Sequence, residues 1–374
     1  MKFTISKSQF EDVLQIVLNA IPSKTTLPIL GNILVNADDD GITFSATDLD
    51  ISVSTTLKLK PSKKGVFTIP AKTTNEIVRE LPQSEIEVSV ANNRIELKAE
   101  RGSYKLPGIS PDEFPRLPEY KPAKEIKIPG KDIAMMVRRT NFAVSVDETR
   151  PALNGILWQT SGDKMVMVAT DGHRLARMRV ENSRLSGLTD DLIIPPKAMN
   201  YLTRLIGDRD IELGVVFGEN NITFSIPKDE DTNTIVSSRL IEGPYPNYEQ
   251  VIPTENDKRM IVNREELHGA VRRVSILSNS LTHQVRFAMD KNKLELSATN
   301  VDLGGEAKES LNCEYAGERL ELGYNANYVI DVLKQMDSEE VVFELSTPVA
   351  AGVIYASDRK EDYLCLIMPL RLAE

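Results

Sequence analysis

The sequence predicts an α+β protein of three similar domains. Each domain is two βαβββ units, with helices on one face and antiparallel sheets on the other. Three observations predict this. A motif returns at near-constant spacing, the order of strand and helix patterns around it repeats, and two interior boundaries share a Pro-aromatic signature. "MVATDGHRL" (167–175) has echoes in "FSATDLDIS" (44–52) and "LSATNVDLG" (296–304). Thr47, Thr170 and Thr299 stand 123 and 129 residues apart in a chain of 374. Self-similarity at a fixed period marks a repeated architecture. The boundary segments "SPDEFPRLPEYKP" (110–122) and "EGPYPNYEQVIP" (242–253) place the domains at 1–122, 123–253 and 254–374.

The first repeat sets the order of elements. A short strand leads into a helix over 7–20, where Phe10, Val13, Leu14 and Val17 form one apolar stripe. Three alternating segments follow, at 30–37, 41–47 and 51–60. The pattern then recurs as a strand at 65–69, a helix at 72–81 and strands at 85–91, 93–99 and 102–107. Asn92 and Asn93 separate two period-2 runs and suit a tight turn. Matching segments open the other repeats: "FTISKSQFEDVLQIV" (3–17), "IKIPGKDIAMMVRRT" (126–140) and "MIVNREELHGAVRRV" (260–274). So do "FTIPAKTTNEIVREL" (67–81), "LIIPPKAMNYLTRLI" (192–206) and "LELGYNANYVIDVLK" (320–334). "LPILGNILV" (27–35) and "RPALNGILW" (150–158) are a further pair.

Composition narrows the chemistry. With 41% apolar and 27% charged residues the chain reads as an ordinary globular protein. No apolar run approaches the roughly 20 residues of a membrane span, and the N-terminus lacks a signal peptide's apolar region, so we expect a cytoplasmic protein. Two cysteines, Cys313 and Cys365, offer neither a disulfide framework nor a metal set. His173, His268 and His283 are not at metal-ligand spacing, and no phosphate-cradling glycine loop occurs. No metal and no cofactor is expected.

Net charge is -10, which alone opposes general adhesion to nucleic acid. Its distribution changes that reading. The expected helices 7–20, 72–81, 131–144, 197–207, 264–277 and 325–336 hold twelve Lys/Arg against eight Asp/Glu, a net +4, so the remainder carries -14. Glu forms helices as readily as Lys, so propensity does not explain the sign. A basic helical face on an acidic protein holds a polyanion on one side and repels it elsewhere. No base-reading motif is visible, so the binding is expected to be independent of sequence.

The Thr170–Leu175 stretch admits three readings. Asp171 and His173 are the types of a general acid–base pair, which keeps an enzyme among the alternatives. Only the threonine returns in all three repeats, and the first adds Asp48. That favours a strand end and turn, with Gly172 suited to the turn. The third reading is recognition. The chain ends "YLCLIMPLRLAE", and Met368 is the adaptable kind of apolar residue that suits varied partners. A repeat scaffold that does not bind DNA is the remaining alternative.

End to end, the chain resembles the bacterial DNA polymerase III β subunits, the sliding clamps. "TLPILGNIL" (26–34), "ATDGHRLA" (169–176), "EGPYPNYEQVIP" (242–253), "VSILSNS" (274–280) and "MPLRL" (368–372) carry the resemblance. It implies the DNA-clamp fold, a head-to-tail homodimeric ring around double-stranded DNA, and no chemistry of its own. The implied partners are the replicative polymerase, a clamp loader using ATP, and other polymerases and repair proteins with short clamp-binding peptides.

Carried over by motif, the peptide cleft comprises Leu153, Thr170, Gly172, His173, Arg174 and Leu175 of the middle domain, and Pro246 and Val251 of the second boundary. The last domain adds Asn325, Tyr328, Val349, Leu366, Ile367, Met368, Pro369, Leu370 and Arg371. Gln250 and Thr282 depart from the pattern, where Arg and an aromatic residue are familiar. Lys24 resembles a DNA-contacting position. Lys72, Arg79, Arg138, Arg139, Lys197 and Arg204 are helix candidates for DNA, with Arg150 expected at the edge of the hole. Ile276 and Leu277 are candidate seam contacts, and Lys105 is expected to meet Glu306 or Glu309 across the seam.

Overall fold

The computed structural model describes residues 1–91, 94–181 and 191–372. Among them the elements run as six βαβββ units. The first is β1 (Lys2–Ser6), α1 (Lys7–Val17), β2 (Asn32–Ala37), β3 (Ile42–Thr47) and β4 (Ile51–Leu57). The second is β5 (Gly65–Pro70), α2 (Ala71–Glu80), β6 (Glu85–Ala91), β7 (Arg94–Ala99) and β8 (Gly102–Pro107). The third is β9 (Ile126–Pro129), α3 (Gly130–Thr140), β10 (Ile156–Ser161), β11 (Lys164–Thr170) and β12 (Arg174–Glu181). The fourth is β13 (Asp191–Ile194), α4 (Pro196–Ile206), β14 (Glu212–Phe217), β15 (Asn221–Pro227) and β16 (Thr232–Arg239). The fifth is β17 (Lys258–Asn263), α5 (Arg264–Val274), β18 (Gln284–Asp290), β19 (Lys293–Asn300) and β20 (Gly305–Asn312). After a short strand β21 (Glu314–Tyr315), the sixth is β22 (Leu320–Asn325), α6 (Ala326–Lys334), β23 (Glu340–Leu345), β24 (Gly352–Ala356) and β25 (Asp362–Ile367). Asn92 and Asn93 lie outside the described residues.

The helices are shorter than the apolar periodicity implies. Residues 18–20, 141–143 and 275–277 tighten into 3₁₀ turns instead of continuing α1, α3 and α5. This is a common way of satisfying the last carbonyls of a helix. Starts are set by side chains: Ser6 caps α1, Asn263 caps α5 and Asn325 caps α6, each accepting a first-turn backbone N–H. The strand expected over 51–60 ends at Leu57. No helix among the described residues is long and apolar enough to cross a membrane.

The elements gather into two compact units. One is Met1–Ala134 with Lys197–Leu240. It contains a four-stranded sheet in the order β1-β6-β7-β8 and an eight-stranded sheet in the order β5-β2-β3-β4-β16-β15-β14-β9. The second sheet is continuous across the first two repeats because β4 and β16 pair antiparallel, from Ile51↔Ser238 to Leu57↔Thr232. Pairing of this kind leaves no open edge between repeats. In α1, Phe10, Val13, Leu14 and Val17 are buried as the stripe requires, with the Phe10 ring 5.6 Å from that of Phe44 on β3.

The other unit is Met135–Pro196 with Ile241–Glu374. Its nine-stranded sheet runs β13-β10-β11-β12-β25-β24-β23-β17-β21, and its four-stranded sheet β20-β19-β18-β22. Here β12 pairs with β25, from Arg174↔Ile367 to Arg179↔Asp362. One face of this sheet carries the cluster Leu157, Val166, Val168, Leu175, Ile193, Tyr248, Ala351 and Leu366. The corresponding strands of the first unit place hydroxyls there instead. Thr43–Thr56 and Ser45–Ser54 each pair at 2.8 Å, and Thr47–Ser52 at 2.9 Å.

The turn after the motif threonine is wired alike in the first two repeats. Thr47 Oγ1 donates to the Ile51 carbonyl and accepts from Leu49 N, while Asp48 Oδ1 accepts from Asp50 N and Ile51 N. Thr170 Oγ1 donates to the Arg174 carbonyl and accepts from Gly172 N, while Asp171 Oδ1 accepts from His173 N and Arg174 N. The third residue takes positive φ in both, +81° at Leu49 and +90° at Gly172. Glycine is the unstrained choice for that conformation.

Candidate functional site

The candidate peptide cleft lies within the second unit, built outward from the Asp171–Gly172–His173 turn. β11 delivers Thr170 into the turn and β12 leaves with Arg174. Asp171 Oδ2 takes the Arg174 Nε at 3.1 Å, and Arg174 NH1 reaches Asp331 Oδ2 on α6 at 2.8 Å. The Arg174 guanidinium lies 4.5 Å from the Tyr328 ring centre and 5.3 Å from that of Phe142. His173 stacks on Tyr328, with ring centres 6.5 Å apart and planes at 21°. Burial pushes the Tyr328 hydroxyl pKa upward, and the Asp171 charge adds to it.

The C-terminal segment closes the other side. Met368 N donates to the His173 carbonyl and Leu370 N to the Gly323 carbonyl, each at 2.8 Å. Gln284 Nε2 donates to the Arg371 carbonyl at 2.9 Å. The tail is therefore laced to both neighbours rather than trailing after the last strand. Leu153, Leu175, Leu366 and Ile367 are buried, with Leu175 and Leu366 paired across β12 and β25 in the apolar cluster on one face of the sheet. Val251, Val349 and Met368 expose 54%, 61% and 39% of their surface, an apolar rim with nothing covering it among the described residues. Pro246 and His173 are exposed, while Asn325 is half-buried and spends its side chain capping α6. In the first unit the corresponding strands carry hydroxyls, and a smaller cluster of Ile29, Leu30 and Phe114 packs with Leu34 beside them.

The structure revises several assignments. Arg139 is not an exposed cation. It is 7% exposed, with Nε and NH2 on Glu361 at 3.1 Å, NH2 on Asp337 at 2.6 Å and NH1 on the Gln335 carbonyl. Helical spacing turns the neighbouring Arg138 outward and Arg139 inward. Arg150, expected at the edge of a hole, sits at the cleft turn. It donates to the Asp171 carbonyl at 3.1 Å and to Asp147 Oδ2 at 2.9 Å, and its guanidinium fills the space beside Gly172. Lys24, Lys72, Arg79, Arg138, Lys197 and Arg204 are exposed, although Lys197 pairs with Asp48. At the candidate seam Ile276 is 73% exposed, whereas Leu277 packs against Gly305 of its own chain. Of the two acids expected at the seam, Glu309 is bound by Arg273 and Glu306 is exposed.

Three residues that organise the cleft, Phe142, Asp147 and Asp331, were not legible. A single acid or aromatic in an amphipathic segment carries no spacing signal. Their importance comes from which distant arginine they meet.

Three family models cover the chain in succession. The N-terminal domain of DNA polymerase III beta subunit matches residues 1–118, the central domain 127–247 and the C-terminal domain 249–371. The chain belongs to the DNA polymerase III beta subunit family. Among relatives of this beta subunit, the beta sliding clamp of Escherichia coli (strain K12) is 32% identical over 377 residues, spanning all of both chains. That of Chlamydia muridarum is 31% identical over 373 residues, covering 100% of this chain and 99% of its own. The crystal structure of the DNA polymerase III subunit beta from Pseudomonas aeruginosa matches with a TM-score of 0.94 at 30% identity, covering 100% of both chains. As a beta subunit, the chain thus has the sliding-clamp fold in three domains.

Proposed function

We propose that this sliding clamp acts as a head-to-tail homodimeric ring that encircles duplex DNA without reading its sequence and tethers the replicative polymerase. The single observation that carries the reading is end-to-end likeness to sliding clamps in a chain whose own middle turn and tail form an exposed apolar cleft. The domain limits belonging to this reading are 1–122, 123–253 and 254–374, while the C-terminal family match begins at 249. Lys24, Lys72, Arg79, Arg138, Lys197 and Arg204 are the cations offered to the phosphate backbone, an attraction that salt weakens and sequence does not alter. The cleft takes short peptides of the polymerase, of the clamp loader, and of other polymerases and repair proteins. The protein works in the cytoplasm.

Asp171 and His173 build the cleft rather than catalyse. Both carboxylate oxygens of Asp171 are engaged by the turn and by Arg174, and the imidazole lies on Tyr328. A general base needs a reachable acceptor atom and an oriented partner. The test is retention on DNA after loading by a clamp loader with ATP. The protein is expected to stay on closed circular duplex and to leave when that circle is cut. Equal retention on circular and linear DNA would overturn the topological reading.

A further inference from the structure

Arg174 was assigned to the cleft as a lining residue, but its surroundings give it a different task. Its side chain is 12% exposed, and its Nε and NH1 are both engaged by carboxylates. Nε holds Asp171 inside the turn, NH1 holds Asp331 on α6, and the flat guanidinium lies on Tyr328 with Phe142 also within reach. The Asp171 bond is local, three residues away in sequence, and stabilises the turn alone. The Asp331 bond spans 157 residues and ties the turn of the middle domain to the helix that carries Tyr328. Tyr328 is three residues before Asp331, less than one helical turn, so the two share one side of α6. The same guanidinium therefore meets the carboxylate and the ring together.

We propose that Asp331 is a positioning residue for peptide binding. By anchoring Arg174 it fixes the distance between the His173 turn and Tyr328, and with it the width of the cleft mouth. The proposal rests on the cleft reading above. A charge-assisted, planar contact sets direction as well as distance, which apolar packing alone does not. Asp331 need not touch the peptide. Its other oxygen lies 3.9 Å from Lys334, a loose pair that leaves Arg174 as the close partner. The wall on the tail side is held independently, by Met368 N on the His173 carbonyl. Loss of Asp331 should therefore widen one side of the cleft while the tail stays in place.

The test uses the full chain and a fluorescent nonapeptide carrying one Gln followed by two Leu and a Phe. Asp331→Asn should weaken peptide binding about tenfold, the scale of one charge-assisted bond, with the dimer and Tm nearly unchanged. Asp331→Glu should recover most of the loss. In a double-mutant cycle Asp331→Asn and Arg174→Gln should be non-additive, because both break the same link. The His173 ring protons should also lose the ring-current shift that Tyr328 imposes. Unchanged affinity in Asp331→Asn, or additivity with Arg174→Gln, would overturn the proposal. Deletion of residues 368–374 is the companion measurement. If the peptide binds equally well without the tail, the cleft reading itself fails. If only the tail deletion matters, the cleft stands and Asp331 has no positioning role.

Discussion

Met368 donates its backbone N–H to the His173 carbonyl at 2.8 Å, joining the C-terminal segment to a turn nearly two hundred residues earlier. The bond extends the β12–β25 pairing one step past the end of the sheet, so the tail lies beside the His173 turn as a wall of the proposed cleft. Removing residues 368–374 should abolish binding of a Gln/Leu/Phe peptide, read by fluorescence anisotropy. The cost to folding should be about 2 kcal/mol, from the few backbone and side-chain hydrogen bonds lost, so the protein should still sediment as the wild type does. A truncated protein that binds peptide at full strength would place the partner site elsewhere.

Sedimentation at micromolar concentration should give twice the 41.7 kDa chain mass. Ile276→Asp is the clean probe of the seam, since this side chain is 73% exposed and is not needed by its own core. The variant should be folded and monomeric. Leu277→Asp should also lower Tm, because Leu277 packs on Gly305 within the chain. A dimer that survives Ile276→Asp moves the seam.

Charge reversal at Arg138, Lys197 and Arg204 should weaken retention on closed circular DNA and flatten its salt dependence, whatever the DNA sequence. Peptide affinity should not change. Loss that depends on sequence would point to site-specific binding instead.

Arg139→Ala belongs to a different class. Removing the buried guanidinium leaves the partly exposed Glu361 and the Gln335 carbonyl without their donor, while Asp337 stays exposed to water. Denaturant unfolding should show a loss of about 1–3 kcal/mol, the range for losing a charged hydrogen-bond partner. A mild effect on stability with a large effect on DNA retention would return Arg139 to the DNA-facing cations.

Burial pushes the Cys365 thiol up to about 12 and the Cys313 thiol up to about 11. Both stay protonated in the fold where free thiols ionise near pH 8.5. Above that pH the unfolded chain releases protons that the folded chain keeps, so stability should fall as pH rises from about 9. Iodoacetamide at pH 8 should modify the thiols only after denaturation. Rapid labelling of the native protein would show that Cys365 is more open than its burial indicates.

The repeat was legible because its elements are local: apolar stripes, period-2 runs and a returning Thr-Asp turn. What escaped depends on long-range encounters. Arg138 and Arg139 look alike in sequence, yet one is exposed and the other meets Asp337 and Glu361 some two hundred residues away. Arg150 reads as a loop cation until the turn folds beneath it. The cleft residues Leu175, His173, Tyr328 and Met368 were reached through resemblance. Asp331 was not, since one carboxylate on an amphipathic helix usually means a solvated face. Apolar spacing continues past the helix ends into the 3₁₀ turns, so periodicity alone does not mark where α1, α3 and α5 stop.

The twin turns after Thr47 and Thr170 have a consequence for how such a protein diversifies. In each, a threonine hydroxyl and one oxygen of the adjacent aspartate satisfy the backbone, and the two residues that follow the aspartate contribute no side-chain bond to that wiring. Leu49-Asp50 in one copy and Gly172-His173 in the other are therefore cargo carried by the same bracket. The first of the two is held at positive φ in both copies, so the second, Asp50 in one and His173 in the other, is the position that can be exchanged without straining the bracket.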